Sequence, residues 1–228
     1  SRLRFEVRRL DLERGIVRAG YRIDGDDRMT LFDSVAVLVA ADLGVSPPSR
    51  SLADASTRSP IAYRLYEEGL RALTLQDTRT ARQLFSAAVR EDSSFAMAQY
   101  YLCRSEVALE MPEQYATAER AFKLAPRASD RDRLLILTYV GGMRSATSVA
   151  LLADTLVTRY TNDPEALVLG ASTLPDLGRT VTLLNPVIAI DSAAGAEASI
   201  NCRLCEAFSA LAGRYSSADS IVATEQTI

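Results

Sequence analysis

The sequence predicts a mainly α protein, a stack of helix hairpins behind a short β-β-α segment. Three observations carry that reading. Two runs before residue 24 alternate apolar and polar residues, apolar residues after residue 60 recur at helical spacing, and a pattern of small and large side chains repeats within the helical part.

The strands come first. Leu3, Phe5 and Val7 alternate with Arg4, Glu6 and Arg8, and Val17, Ala19, Tyr21 and Ile23 repeat the period. Glu13-Arg14-Gly15 separates the runs, with Gly15 able to supply the positive φ that a short hairpin loop uses. After Asp24-Gly25-Asp26-Asp27, the residues Leu31, Phe32, Val35, Leu38, Val39 and Leu43 return at helical spacing before Gly44, which suits the left-handed position beyond a helix end. Phe32, Val35, Leu38 and Val39 can cover part of the hairpin, but two strands still leave unpaired edges. Residues 1 to 23 are therefore expected to be completed by residues preceding Ser1 or by another protein. The chain opens without a methionine and stops at Ile228 within a helical pattern, so it reads as part of something longer.

From Ser46 to Pro60 the composition shifts to Ser, Pro, Ala, Thr and Asp. This gives three divisions: 1–45 as an α/β piece, 46–60 as a linker, and 61–228 as the helical part. Breaks are expected at Gln76 to Thr78, Asp92 to Phe95, Pro112, Pro126 to Asp130, Gly141 to Ser145, Thr161 to Pro164, Gly178-Arg179 and Asp191 to Gly195. Pro186 should start, kink or break its helix. A last helix runs from Ala196 to Ala212, and another opens after Gly213-Arg214.

Ala62 to Phe95 makes one 34-residue unit, in which Gly69 lets two helices approach and Phe85 fills the gap between units, flanked by Ala81 and Ala88. The triplet returns 37 residues later as Ala118, Phe122 and Ala125, as though three residues were added near Met111-Pro112. Leu152, Leu156 and Tyr160 mark a looser third unit, and Leu169-Gly170 the large-small pair of a fourth.

These residues resemble tetratricopeptide repeats (TPR), so the implied fold is a TPR-like helical-hairpin solenoid. Ser59 to Gly69, Ala81 to Phe85, Phe95 to Ala98, Asn201 to Ala207 and Ala218-Asp219-Ser220 are similar to the TPR region that follows the kinase domain in certain bacterial serine/threonine kinases and related regulators. Gly20 to Val45 resembles the end of the TolB-like α/β domain that precedes it there. The resemblance implies a bacterial source and favours a periplasmic or membrane-peripheral setting over a cytoplasmic one. It does not imply kinase activity, because no Gly-rich loop or catalytic-loop motif is present.

Composition narrows the chemistry. The net charge of −3 recruits no polyanion, so nucleic acid is not an expected partner. No uncharged stretch exceeds eleven residues, too short to span a membrane. The sequence has no histidine, which removes the commonest general base and metal ligand. Acidic pairs such as Asp26-Asp27, Glu67-Glu68 and Asp130/Asp132 lie in turns or on polar faces, where solvated charge is the default. Cys202-x-x-Cys205 lacks a histidine for haem attachment, since Glu206 follows it. It also lacks further nearby ligands for zinc and a strand-to-helix setting for a redox pair, which leaves two small residues buried on one helix face. No cofactor, metal or catalytic residue is predicted.

The expected function is non-catalytic protein binding, as the scaffold or sensor region of a signalling protein. The alternative is an extrinsic accessory subunit docked peripherally on a membrane-bound assembly, such as a respiratory or photosynthetic complex. With Ala62 and Ala96 each opening a unit, Tyr63, Tyr66 and Leu70 on one helix and Met97, Tyr100 and Arg104 on another face the concave side. Tyr, Met and Arg suit interface hot spots, although the same residues could equally pack against neighbouring helices.

Overall fold

The computed structural model describes residues 2–26, 28–44, 57–144, 147–193 and 203–217. They form two compact units, Ser1–Pro60 and Ile61–Ile228. Most of the predicted linker, and Cys202, lie outside the described residues. Among the described residues no helix is long and apolar enough to cross a membrane.

In the first unit β1 (Leu3–Asp11) pairs antiparallel with β2 (Ile16–Gly25), with Phe5 opposite Ile23 and Val7 opposite Tyr21. The turn is organised by Asp11. Its carboxylate accepts the N–H groups of Glu13 and Arg14 at 3.1 and 3.0 Å, its carbonyl accepts that of Gly15 at 2.8 Å, and Gly15 takes φ +65°. One face of the hairpin is ionic, with Arg4–Asp24 at 2.7 Å and Arg22–Glu6 at 2.9 Å. The other is apolar and packs on α1 (Arg28–Leu43), where Phe32 meets Phe5 edge-on at 5.1 Å between ring centres and Leu31 is buried. Leu38 was expected to cover the sheet but is exposed, together with Val37 and Leu43. Gly44, at φ +67°, ends the helix as its position suggested.

The second unit is helical throughout its described residues: α2 (Pro60–Thr74), α3 (Thr78–Glu91), α4 (Ala96–Ala108), α5 (Gln114–Leu124), α6 (Asp130–Met143), α7 (Val149–Arg159), α8 (Pro164–Thr173), α9 (Leu177–Ala193) and α10 (Arg203–Ser217), with a 3-10 turn at Ala125–Arg127. Short polar side chains start several of them. Asp77 accepts the N–H of Thr80, Ser129 that of Asp132, and Asp163 those of Glu165 and Ala166, just ahead of Pro164 in the first turn. From α3 onward each helix packs on the next, and α4 also meets α6, α6 meets α8, and α8 meets α10.

The ends of α2 and α4 are the same structure 34 residues apart. Gln76 and Glu110 both adopt left-handed backbone, at φ 59° and 54°. Gln76 and Asp77 donate back to Leu73 and Ala72, while Glu110 and Met111 donate to Val107 and Glu106, all at 2.9 to 3.0 Å. This is a Schellman closure used twice. The close approach expected at Gly69 is present too: a Cβ there would lie 2.6 Å from the ring of Phe85, which is 0% exposed. Gly170 makes a comparable approach to Val157 of α7.

Several expectations need correcting. Phe122 does not fill an inter-helix gap: it is 39% exposed, with the Arg144 guanidinium 4.6 Å from its ring centre, while Thr117, Ala118, Ala121 and Ala125 make the buried side. The break placed at Gly178-Arg179 falls at 174–176 instead, because Asp176 accepts the N–H of Arg179 at 2.6 Å and starts α9 ahead of the glycine. Pro186, expected to start, kink or break its helix, lies inside α9 and neither starts nor ends it. Helix α10 runs through Gly213, where a break was expected.

Candidate functional site

The candidate site lies along α2, α4, α6 and the start of α8. Tyr66 of α2 sits among Phe95, Tyr101 and Phe85, at 4.9, 5.8 and 5.9 Å between ring centres, and Tyr63 lies 6.2 Å from it. On α4, Tyr100 and Tyr101 meet edge-on at 5.0 Å, and Tyr100 meets Tyr139 of α6 at 5.6 Å. The Arg104 guanidinium lies 5.7, 5.6 and 6.0 Å from the ring centres of Tyr100, Tyr101 and Tyr139, within range for cation–π attraction.

An ionic cluster closes this aromatic row. Glu165, in the first turn of α8, is only 6% exposed. One of its oxygens accepts the Tyr101 hydroxyl at 2.7 Å and Arg104 at 2.9 Å, and the other accepts Arg131 at 3.1 Å. Arg131 also forms a two-pronged pair with Asp163 and reaches Asp132 at 2.9 Å. Asp163 thus starts α8 and holds an arginine of α6. Burial alone would raise its carboxyl, but Arg131 keeps it below the usual carboxylate value.

The phenols are pushed the other way. Burial, with Glu165 nearby, raises Tyr66 and Tyr101 well above their ordinary value, and burial takes Tyr139 to about 12. Burial also raises the Cys103 thiol to about 12, so it stays protonated at neutral pH. Of these groups, the Tyr101 hydroxyl donates to Glu165. No group of three or more His, Cys, Asp or Glu side chains able to hold a metal occurs among the described residues.

A second polar spot lies between α3 and α4, where Arg82 approaches the buried Glu106 at 3.9 Å. Burial pushes the Glu106 carboxyl up, and one of its oxygens has no hydrogen-bond partner.

Of the six residues predicted to face a partner, the structure gathers Tyr66, Tyr100 and Arg104 into one cluster and sets Tyr63 beside it. Met97 and Tyr100 are buried, at 4% and 1% exposure, and Leu70 is half-buried against the core. For Met97 and Tyr100, packing is the role the structure assigns. In this row Tyr63, Tyr66, Arg104, Arg131, Asp132, Tyr139 and Asp163 are half-buried and so partly open to solvent. Tyr101, Tyr139, Arg131, Asp163 and Glu165 were not singled out from sequence. The signals available were Asp163 before Pro164, which marks a helix start, and tyrosine beside tyrosine at 100 and 101.

No family model matches the chain, and no curated protein and no solved structure is significantly similar to it.

Proposed function

We propose that the second unit is a TPR-like stack of helix hairpins that binds another protein without chemistry. The architecture is supported by the two identical helix ends 34 residues apart and by Gly69 against Phe85. The function rests on one observation: the first helices of four successive hairpins contribute to a single row of tyrosines and arginines, partly open to solvent and fixed from beneath by Glu165. Rigid aromatic and arginine side chains on a preorganised surface are what interface anchors consist of. Asp132, Asp163 and Glu165 are paired with Arg104 and Arg131, so the charges of the row are largely satisfied among themselves. The fitting partner is a segment that brings an apolar or aromatic side chain to the tyrosines.

Selection of peptides from a displayed random library against the chain tests this. Bound sequences should be enriched in aromatic and apolar residues, and the Tyr63→Ala/Tyr139→Ala pair should weaken them at least about tenfold while the helical circular dichroism signal is retained. Tyr66 and Tyr100 are poor probes, because truncating them damages the core. Peptides that bind undiminished to the double variant would sink the proposal.

A further inference from the structure

The hairpin of the first unit has an open side. Helix α1 packs chiefly across β2 and touches β1 little, so Leu3, Phe5 and Val7 remain only half-buried. The sheet has two strands among the described residues, so the outer edge of β1 has no strand partner there. On α1, Val37, Leu38 and Leu43 are exposed apolar side chains in the same unit.

We infer that a second copy of this chain pairs with β1, antiparallel about a two-fold axis at Val7, so that two hairpins become one four-stranded sheet. Charge and length of overlap together select this pairing, since an axis at Phe5 would also oppose Arg4 to Glu6 but over Leu3–Val7 alone. Pairing that keeps both apolar faces on one side must oppose residues of like parity, since a one-residue slip turns every side chain to the wrong face. Full overlap of Leu3–Asp11 with itself then sets Val7 opposite its own copy. Glu6 faces Arg8 of the second copy, and by symmetry Arg8 faces its Glu6. Phe5 faces Arg9 on the apolar side. Moving the axis to Glu6 would oppose Arg4 to Arg8, and moving it to Arg8 would oppose Arg8 to itself. Arg8 is 69% exposed and makes only a long approach of 3.9 Å to Glu6 of its own strand. The segment from Phe5 to Arg9 lies ahead of the bulge between Arg9 and Leu10, so the complementary part is the regular part. The new strand would also bring apolar surface to the half of the sheet that α1 leaves uncovered.

Sedimentation equilibrium of the 228-residue chain over a concentration series should show a monomer–dimer equilibrium. Arg8→Glu sets like charges opposite each other at both symmetric positions and should weaken self-association about tenfold, with circular dichroism unchanged. Glu6→Arg combined with Arg22→Glu, which keeps the ion pair across the hairpin, should do the same. An equimolar mixture of the two variants faces opposite charges again and should associate as tightly as the parent chain. A chain that stays monomeric at every concentration overturns the inference, as does a dimer indifferent to Arg8→Glu or a mixture no tighter than either variant alone. None of these outcomes bears on the protein-binding row of the second unit.

Discussion

Gly69→Ala sets two well-measured effects against each other. In an exposed helix the change would stabilise by about 1 kcal/mol, because alanine loses less backbone freedom on folding. Here the added Cβ would lie 2.6, 2.9 and 2.9 Å from three carbons of the Phe85 ring. That ring has no open side to retreat into: it is fully buried, stacked on Tyr101 at 5.4 Å and held by Tyr66 at 5.9 Å. Overpacking of this kind costs roughly 1–3 kcal/mol, and three simultaneous contacts against a boxed ring belong in the upper half of that range. The expected net change is a loss of about 1–2 kcal/mol, read as a lower urea midpoint by circular dichroism. The cause is isolated by a cycle with Phe85→Leu, in which Gly69→Ala should cost less than it does beside the intact ring. A Gly69→Ala variant more stable than the parent, or a cycle with no coupling, would refute the close-approach argument.

Gln76→Gly and Glu110→Gly should each stabilise by about 0.5–1 kcal/mol, since both residues hold left-handed backbone at helix ends, and urea titration of the pair should show the gains adding. Phe85→Ala should cost about 3–5 kcal/mol in the same assay, whereas Phe122→Ala, with its ring 39% exposed, should cost under about 1 kcal/mol. Glu165→Ala takes the acceptor from Tyr101, Arg104 and Arg131 together and should cost about 2–3 kcal/mol, less than a fully buried pair because both arginines are partly hydrated. The Asp163 carboxyl is held below its usual value, so its contribution is complete above the unfolded value near about pH 4 and is lost as pH falls through the lower folded value. The urea midpoint should drop in that acid window, and drop less in Asp163→Asn.

What the sequence made legible is local. Gly15 and Gly44 announce positive φ, Asp163-Pro164 announces a helix start, and the Gly69 and Phe85 spacing announces two helices in contact, because in each case a few neighbouring residues fix the geometry. Glu165 was not legible. Its partners Tyr101, Arg104 and Arg131 lie 64, 61 and 34 positions away, and no periodicity connects them. In isolation it reads as an acidic residue suiting a helix N-terminus. Phe122 misled for a different reason: matching a triplet by residue type ignored that the helix after the longer Met111–Glu113 turn presents Ala118, Ala121 and Ala125 inward. Gly178 and Gly213 misled because glycine permits a break without requiring one, and at 174–176 the side chain of Asp176 made the decision.

Asp163 has a consequence for how the second unit comes apart. In stacked-hairpin proteins each hairpin touches only its neighbours, and terminal ones can open singly. Here one carboxylate caps α8 and anchors Arg131 of α6, and the next residue but one grips Arg104 of α4. Fraying the first turn of α8 would withdraw Glu165 from two guanidinium groups and a phenol, so the opening energies of α4, α6 and α8 are tied together. Amide exchange in α4, α6 and the first turn of α8 should then share one free energy of opening, where a purely nearest-neighbour stack would show a gradient.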